Sequence, residues 1–263
     1  MIKKSFIIGF IVCSVFALSA QTSVKGHSVN GLTGLMTTPT ARIGWEKSDF
    51  GIDVGYAYLG EDGDATSIPR VTLSLFRKAE VSTAVAFGDT EDLDIMLAGK
   101  FQFYKSGGSS MAGGLDYSSY DYNTNINNDL ETLLRPYVVA TYSGDFFDAP
   151  AVTSMTFGWD LANGDDDGLD FDNFNYSMGF EMAFFPKYFK NFIYWMSDFA
   201  NYSFSAGSGG ATGVNLSRGI FNTGFRIDPL KDSKYKFIID VVGTDMLDSN
   251  RGFMIDASFG MAF

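Results

Sequence analysis

The chain closes on GFMIDASFGMAF, Gly252–Phe263, and the reading of these residues decides the fold. Phe253, Ile255, Ala257, Phe259, Met261 and Phe263 fall on one parity. Met254, Asp256, Ser258, Gly260 and Ala262 fall on the other. Successive side chains of a β-strand point to opposite faces. The stretch therefore predicts a strand with one apolar, aromatic face and one face that is mostly small or polar.

The same alternation recurs upstream. In FGIDVGYAYL, residues 50–59, Phe50, Ile52, Val54, Tyr56 and Tyr58 oppose Gly51, Asp53, Gly55 and Ala57. In FNYSMGFEMAFF, residues 174–185, the rings and methionines oppose Asn175, Ser177, Gly179, Glu181 and Ala183. In YKFIIDVV, residues 235–242, Tyr235, Phe237, Ile239 and Val241 oppose Lys236, Ile238, Asp240 and Val242. A soluble sandwich also alternates, but its outer face does not hold Gly, Ala and Ser against so long an aromatic run. A transmembrane barrel explains both faces, since lipid takes the apolar parity and a lumen takes the other. Its closed sheet satisfies every backbone group without water.

The expected fold is all-β: an antiparallel, up-and-down transmembrane barrel of about twelve strands, with ten or fourteen as alternatives. The segments fall at roughly 50–59, 69–78, 80–87, 93–104, 110–118, 134–142, 151–160, 173–184, 191–204, 216–227, 235–243 and 252–263. Each is near the length of a tilted spanning strand. The connections alternate in character. GEDGDATSI, GDTED, SYDYNTNINNDLET, LANGDDDGLDFD, SAGSGGATGVN and TDMLDSNR are mostly long and rich in Asp, Asn and Gly. KAE, KSGGS, FPKYFKN and DPLKDSK are generally shorter and carry most of the loop lysines. Long outer loops and short periplasmic turns are the asymmetry of such barrels. An amphipathic last strand ending in a ring, with Phe259 and Phe263 on the lipid parity, resembles the C-terminal signal read by the outer-membrane assembly machinery.

The opposite end supports export. Lys3 and Lys4 precede an apolar run from Phe6 to Leu18 and then small residues, the layout of a secretory signal peptide over residues 1–20. Its removal takes Cys13, the one cysteine, and excludes disulfides and thiolate metal sites. It also takes two of the 19 basic residues, leaving 17 against 31 acids, a net charge of −14. That balance argues against nucleic acid as a partner and against docking on anionic membrane surfaces. The barrel then occupies residues 50–263, and residues 21–49 form a leader between signal and first strand.

Within that leader lies GLTGLMTTPTARIGW, Gly31–Trp45, which Gly31, Gly34 and Pro39 prevent from forming a strand. Two placements remain open: entry into the lumen as a plug, or a cap at the periplasmic mouth. In the first, Arg42 would pair with lumen acids such as Asp53, Asp94 or Asp256. The lumen parity further supplies Lys100, Gln102, Asp116, Glu181, Lys236 and Asp240, which either pair with one another or line a channel. Asp165, Asp166, Asp167, Asp170 and Asp172 in one outer loop form a weak candidate for a divalent cation, a hard ion that favours clustered carboxylates. They lack the spacing of a helix–loop–helix calcium site. The single histidine, His27, lies in the leader, and no nucleophile–base arrangement, nucleotide loop or metal-ligand cluster stands out. The chain is read as a non-enzyme with no cofactor.

The leader resembles the opening of the YjbH-like proteins, outer-membrane barrels associated with exopolysaccharide production. Their pattern G-L-x-x-x-P-[ST]-A-R is matched by Gly34, Leu35, Pro39, Thr40, Ala41 and Arg42. PRVTLSLFRKAEVSTAVAF, residues 69–87, resembles that family's strand–turn–strand, with Glu80 after the turn. The likeness covers roughly Gly31 to Phe103. It implies a barrel linked to polysaccharide secretion or small-solute passage, with outer-membrane lipid and the assembly machinery as partners. The alternative is a closed-lumen surface barrel that binds or braces through its acidic loops.

Overall fold

The computed structural model describes residues 26–61, 64–88, 93–119, 130–164, 170–202, 219–230, 234–247 and 251–263. Twelve strands run in chain order: β1 Phe50–Glu61, β2 Asp64–Leu75, β3 Ala79–Phe87, β4 Leu93–Ser106, β5 Ser109–Ser119 and β6 Leu130–Phe146. They continue as β7 Ala149–Gly164, β8 Asp170–Ala183, β9 Ile193–Ala200, β10 Ile220–Ile227, β11 Tyr235–Thr244 and β12 Gly252–Ala262. Each pairs antiparallel with its sequence neighbours, and β1 pairs with β12 to close the barrel. The closing register runs from Gly51 opposite Ala262 to Glu61 opposite Gly252. The Phe263 N–H then donates to Phe50 O at 2.9 Å, so the last residue is tied to the first strand. No edge is left for lipid to solvate.

All twelve expected strands are present, with shifted ends. The largest shift is in β2, which begins at Asp64 rather than near residue 69. Glu61 pairs with Asp64, so most of GEDGDATSI is strand. The five short connections meet at the opposite end. The longest of them, between β8 and β9, holds one helical turn, α1, Pro186–Phe189.

Burial runs inside out. On β12 the exposed positions are Phe253, Ile255, Ala257 and Phe259, and the buried ones are Met254, Asp256, Ser258 and Gly260. On β4, Leu93, Ile95, Leu97 and Phe101 are exposed while Lys100 and Gln102 are buried. Large exposed apolar faces are unusual on a soluble domain. Here they form a continuous outer belt with ring contacts across strands, such as Phe180–Trp195 at 5.9 Å and Tyr235–Phe259 at 6.1 Å. The charged residues face inward because the lumen alone offers them partners.

Met178, on the outer parity near the middle of β8, tests this polarity. Met178→Arg is expected to lower barrel stability in lipid vesicles by about 2–4 kcal/mol, measured by denaturant titration.

Candidate functional site

The lumen is occupied by the chain's own leader. From Gly26 to Trp45 every residue is buried. The segment forms a compact set of turns, with Ser28 N donating to Leu32 O at 2.8 Å, Leu35 N to Thr38 O at 2.9 Å and Thr40 N to Thr33 O at 3.0 Å. These turns leave many backbone groups unpaired within the segment, and a buried unpaired group is costly. The barrel wall supplies the partners.

Two carboxylates do most of this. Glu80, at the start of β3, accepts from Thr33 N at 2.9 Å, Thr33 Oγ1 at 2.6 Å and Gly44 N at 2.5 Å. Lys100 on β4 balances its charge at 2.9 Å and also donates to Thr33 O at 2.8 Å. Across the lumen, Asp198 on β9 accepts from Thr37 N at 2.6 Å and Thr38 N at 3.0 Å. Asn222 on β10 donates to Asp198 at 2.8 Å and to Thr37 Oγ1 at 3.0 Å. Hydrogen bonds to an ionised acceptor are roughly twice as strong as neutral ones. Neutral contacts add to them, including Ala41 N to Thr141 Oγ1 at 2.8 Å and Gln102 Nε2 to Ala41 O at 2.7 Å.

Asp53 anchors the exit of the leader. It accepts from Trp45 Nε1 at 3.0 Å and pairs with Lys236 at 3.0 Å. His27 Nε2 lies 3.4 Å from the same carboxylate. Burial, and then the positive charge of Lys236, push the His27 imidazole down to about 4, so it is neutral at pH 7. The Asp53 charge is therefore met by Lys236. Small residues on the lumen parity make room for the segment. A side chain at Gly51 would strike the Trp45 indole, and one at Gly179 would strike Leu35.

The wall also pairs with itself. Arg226 bridges Glu181 at 2.7 Å and Asp240 at 2.7 Å, with one further donation to Gly34 O at 3.0 Å. Arg70 pairs with Asp256. Arg135 grips Asp160 through two donors at 2.6 and 3.1 Å. Asp53, Lys100, Glu181, Lys236, Asp240 and Asp256 each lie in one of these ion pairs. Asp94 is half-buried at the far end of β4, opposite Ala86.

Arg42 is a correction. It does not pair with Asp53, Asp94 or Asp256. Its guanidinium donates to Gly108 O at 3.0 Å and lies 3.6 Å from Glu46, beside the β4–β5 turn. The reason is register. Lys236 and Asp53 both face Gly260, and Asp256 lies beside Ala57 within reach of Arg70, so strand cations claim these acids first. Arg42 reaches only the mouth. Asp165, Asp166 and Asp167 lie outside the described residues, as do the side chains of Asp170 and Asp172. Among the described residues no group of three or more His, Cys, Asp or Glu could hold a metal ion.

The sequence marks Glu80 only by its place after a turn, and no motif marks Arg70, Arg135, Asp160, Asp198, Asn222 or Arg226. Strand parity would have found most of them. Glu80 shares its face with Ser82 and Ala84, and Arg226 follows the outward Phe225.

No family model and no curated protein matches the sequence. The fold, in contrast, is matched by solved structures. A KdgM porin superposes with TM-score 0.51 at 8% identity, covering 80% of this chain and 99% of its own. A KdgM porin in complex with disordered oligogalacturonate gives TM-score 0.52 at 8% identity, with the same 80% and 99% coverage. A NanC porin gives 0.52 at 10%, covering 81% of this chain and 100% of its own. At such identities the likeness is one of fold. The architecture and the apolar belt are those of a bacterial outer-membrane barrel.

Glu80→Ala would leave Lys100 buried without its carboxylate and three leader donors without an acceptor. A loss of about 3–5 kcal/mol is expected by denaturant titration in vesicles.

Proposed function

We propose that this chain is an outer-membrane channel barrel closed at rest by its own leader, serving polysaccharide secretion or the passage of small polar solutes. The observation that carries the reading is the burial of residues 26–45 against lumen carboxylates on opposite walls, Glu80 and Asp198. A barrel needed only as a surface scaffold could fill a narrow lumen with strand side chains. Here a separate, irregular segment fills it, and Gly51 and Gly179 leave room for Trp45 and Leu35. The resemblance of the leader to the YjbH-like opening supports the polysaccharide link. The oligogalacturonate seen with a porin of this fold makes a saccharide a reasonable first solute to try.

The second reading, a closed barrel that binds or braces at the cell surface, is favoured by the number of bonds that pin the leader. Conductance in planar bilayers separates the two. Wild type is expected to be nearly silent, and deletion of 26–45 to open stable channels. Silence in both would establish the closed barrel. Labelling controls for misfolding: Met36→Cys, in a chain that starts at Gln21 and has no other thiol, should resist maleimide when folded and react when denatured. Free labelling in the folded barrel would remove the plug.

We further infer that residues 1–20 are a signal peptide and that Phe259 and Phe263 present the terminal strand to the assembly machinery. Both rings are exposed on the lipid face. Deleting Phe263 should lower the heat-modifiable, folded form in cells and leave precursor in the periplasm.

A further inference from the structure

Most acids of the lumen wall sit beside a strand cation, as Glu80 does with Lys100 and Asp53 with Lys236. Asp116 and Asp198 do not: among the described residues neither lies in an ion pair. Arg226, moreover, serves both Glu181 and Asp240. Asp116 is buried, yet its Oδ1 has no hydrogen-bond partner among the described residues. The wall thus holds more negative charge than its own cations neutralise.

Asp198, only 3% exposed, is bonded in a different way. Its Oδ2 accepts from Thr37 N at 2.6 Å and from Thr38 N at 3.0 Å, and its Oδ1 accepts from Asn222 Nδ2 at 2.8 Å. Two adjacent leader amides on one oxygen offset its charge by dipoles alone. The wall is recessed beside this carboxylate. Gly179 faces Asp198 across β8 and β9, and a side chain there would strike Leu35 and come within 3.2 Å of Thr38 Cβ. The Tyr202 hydroxyl borders the same recess, 3.1 Å from Ser177 Oγ and 3.5 Å from Thr37 O.

We propose that Asp198 is a binding site for the ammonium group of a cationic solute, held at rest by the Thr37 and Thr38 amides. Such a site presupposes the channel read above, because the leader must move before a solute arrives. An ammonium brings three N–H donors and a full positive charge to one point. Its hydrogen bonds to a carboxylate are roughly twice as strong as neutral ones. The recess at Gly179 gives it room, and the Ser177 and Tyr202 hydroxyl oxygens are neutral acceptors within the same recess. The surplus acids of the wall draw cations in and repel carboxylates. The solute class is therefore a saccharide or other small molecule that carries a primary amine, and an acidic saccharide is disfavoured.

The chain from Gln21 with Met36→Cys, folded in lipid vesicles, provides the test. Maleimide labelling is measured with glucosamine as its ammonium salt, with N-acetylglucosamine and with glucuronate, at one ionic strength set by potassium chloride. Glucosamine should speed labelling severalfold, because it competes for Asp198 and loosens the leader, and the other two should not. Asp198→Asn should abolish the acceleration, and Asp116→Asn should keep it. Equal rates with glucosamine and N-acetylglucosamine overturn the site. So does an acceleration that survives Asp198→Asn or is lost equally in Asp116→Asn. If Asp198→Asn does not fold, the comparison of the three sugars in the unaltered wall still decides. The channel reading fails separately. Amine-dependent labelling without conductance would keep the site and remove the channel. Channels that open on deletion of 26–45, with labelling indifferent to the amine, would keep the channel and remove the site.

Discussion

The structure depends on one constraint: an irregular backbone sealed inside a barrel must find a partner for each of its polar groups. A helix or a strand would satisfy itself, but a segment broken by Gly31, Gly34 and Pro39 cannot. The wall answers with carboxylates that each take several donors. Glu80 holds Thr33 and Gly44 together, although they are eleven positions apart in sequence, and Asp198 holds the tight bend at Thr37 and Thr38. The conformation of the leader is thus imposed by groups that belong to strands, and its fold cannot be understood apart from the barrel.

The barrel itself follows from the opposite constraint. Water is absent outside the wall, so polar side chains turn inward and apolar ones outward. This inversion of the usual burial rule was readable from parity alone, because period two survives whichever face is wet. Strand number and closure were legible in the sequence. What was not legible was pairing. Whether Asp53 meets Arg42 or Lys236 depends on the stagger between β1, β12 and β11, and stagger is set by the closure of the whole sheet. Single-strand patterns carry no trace of it. Asp198 and Arg226 were readable only by parity on β9 and β10, the two shortest strands, where eight residues offer few alternations.

The first outer connection shows a related effect. GEDGDATSI has the composition of a loop, yet most of it pairs in β1 and β2. Composition reports the solvent at the side chain, and pairing reports the backbone. At a membrane rim the two need not agree.

The interior contacts also bear on whether the leader is a fixed core or a removable part. The strong ion pairs of the lumen are made from strand to strand: Glu80 with Lys100, Arg226 with Glu181 and Asp240, Arg135 with Asp160, and Arg70 with Asp256. Each would persist if the leader left, and no buried cation would be orphaned in the wall, since Lys236 would keep Asp53. The leader contributes mainly neutral N–H donors and carbonyl acceptors, such as Thr37 N to Asp198 and Gly31 O from Thr72, which water can replace. Its apolar side chains resist departure. Val29, Leu35 and Met36 pack with Ile68, Met96, Met196, Val242 and Met254, and Leu32 packs separately with Tyr137 and Val139. That contribution is hydrophobic and non-directional, and a wall whose cations are paired does not need it to remain closed as a sheet. The ion pairs of the wall thus close among its own strands, whereas Asp198 takes its donors from Thr37 and Thr38 of the leader and from Asn222, so the leader and the wall are coupled mainly through neutral bonds and apolar contacts.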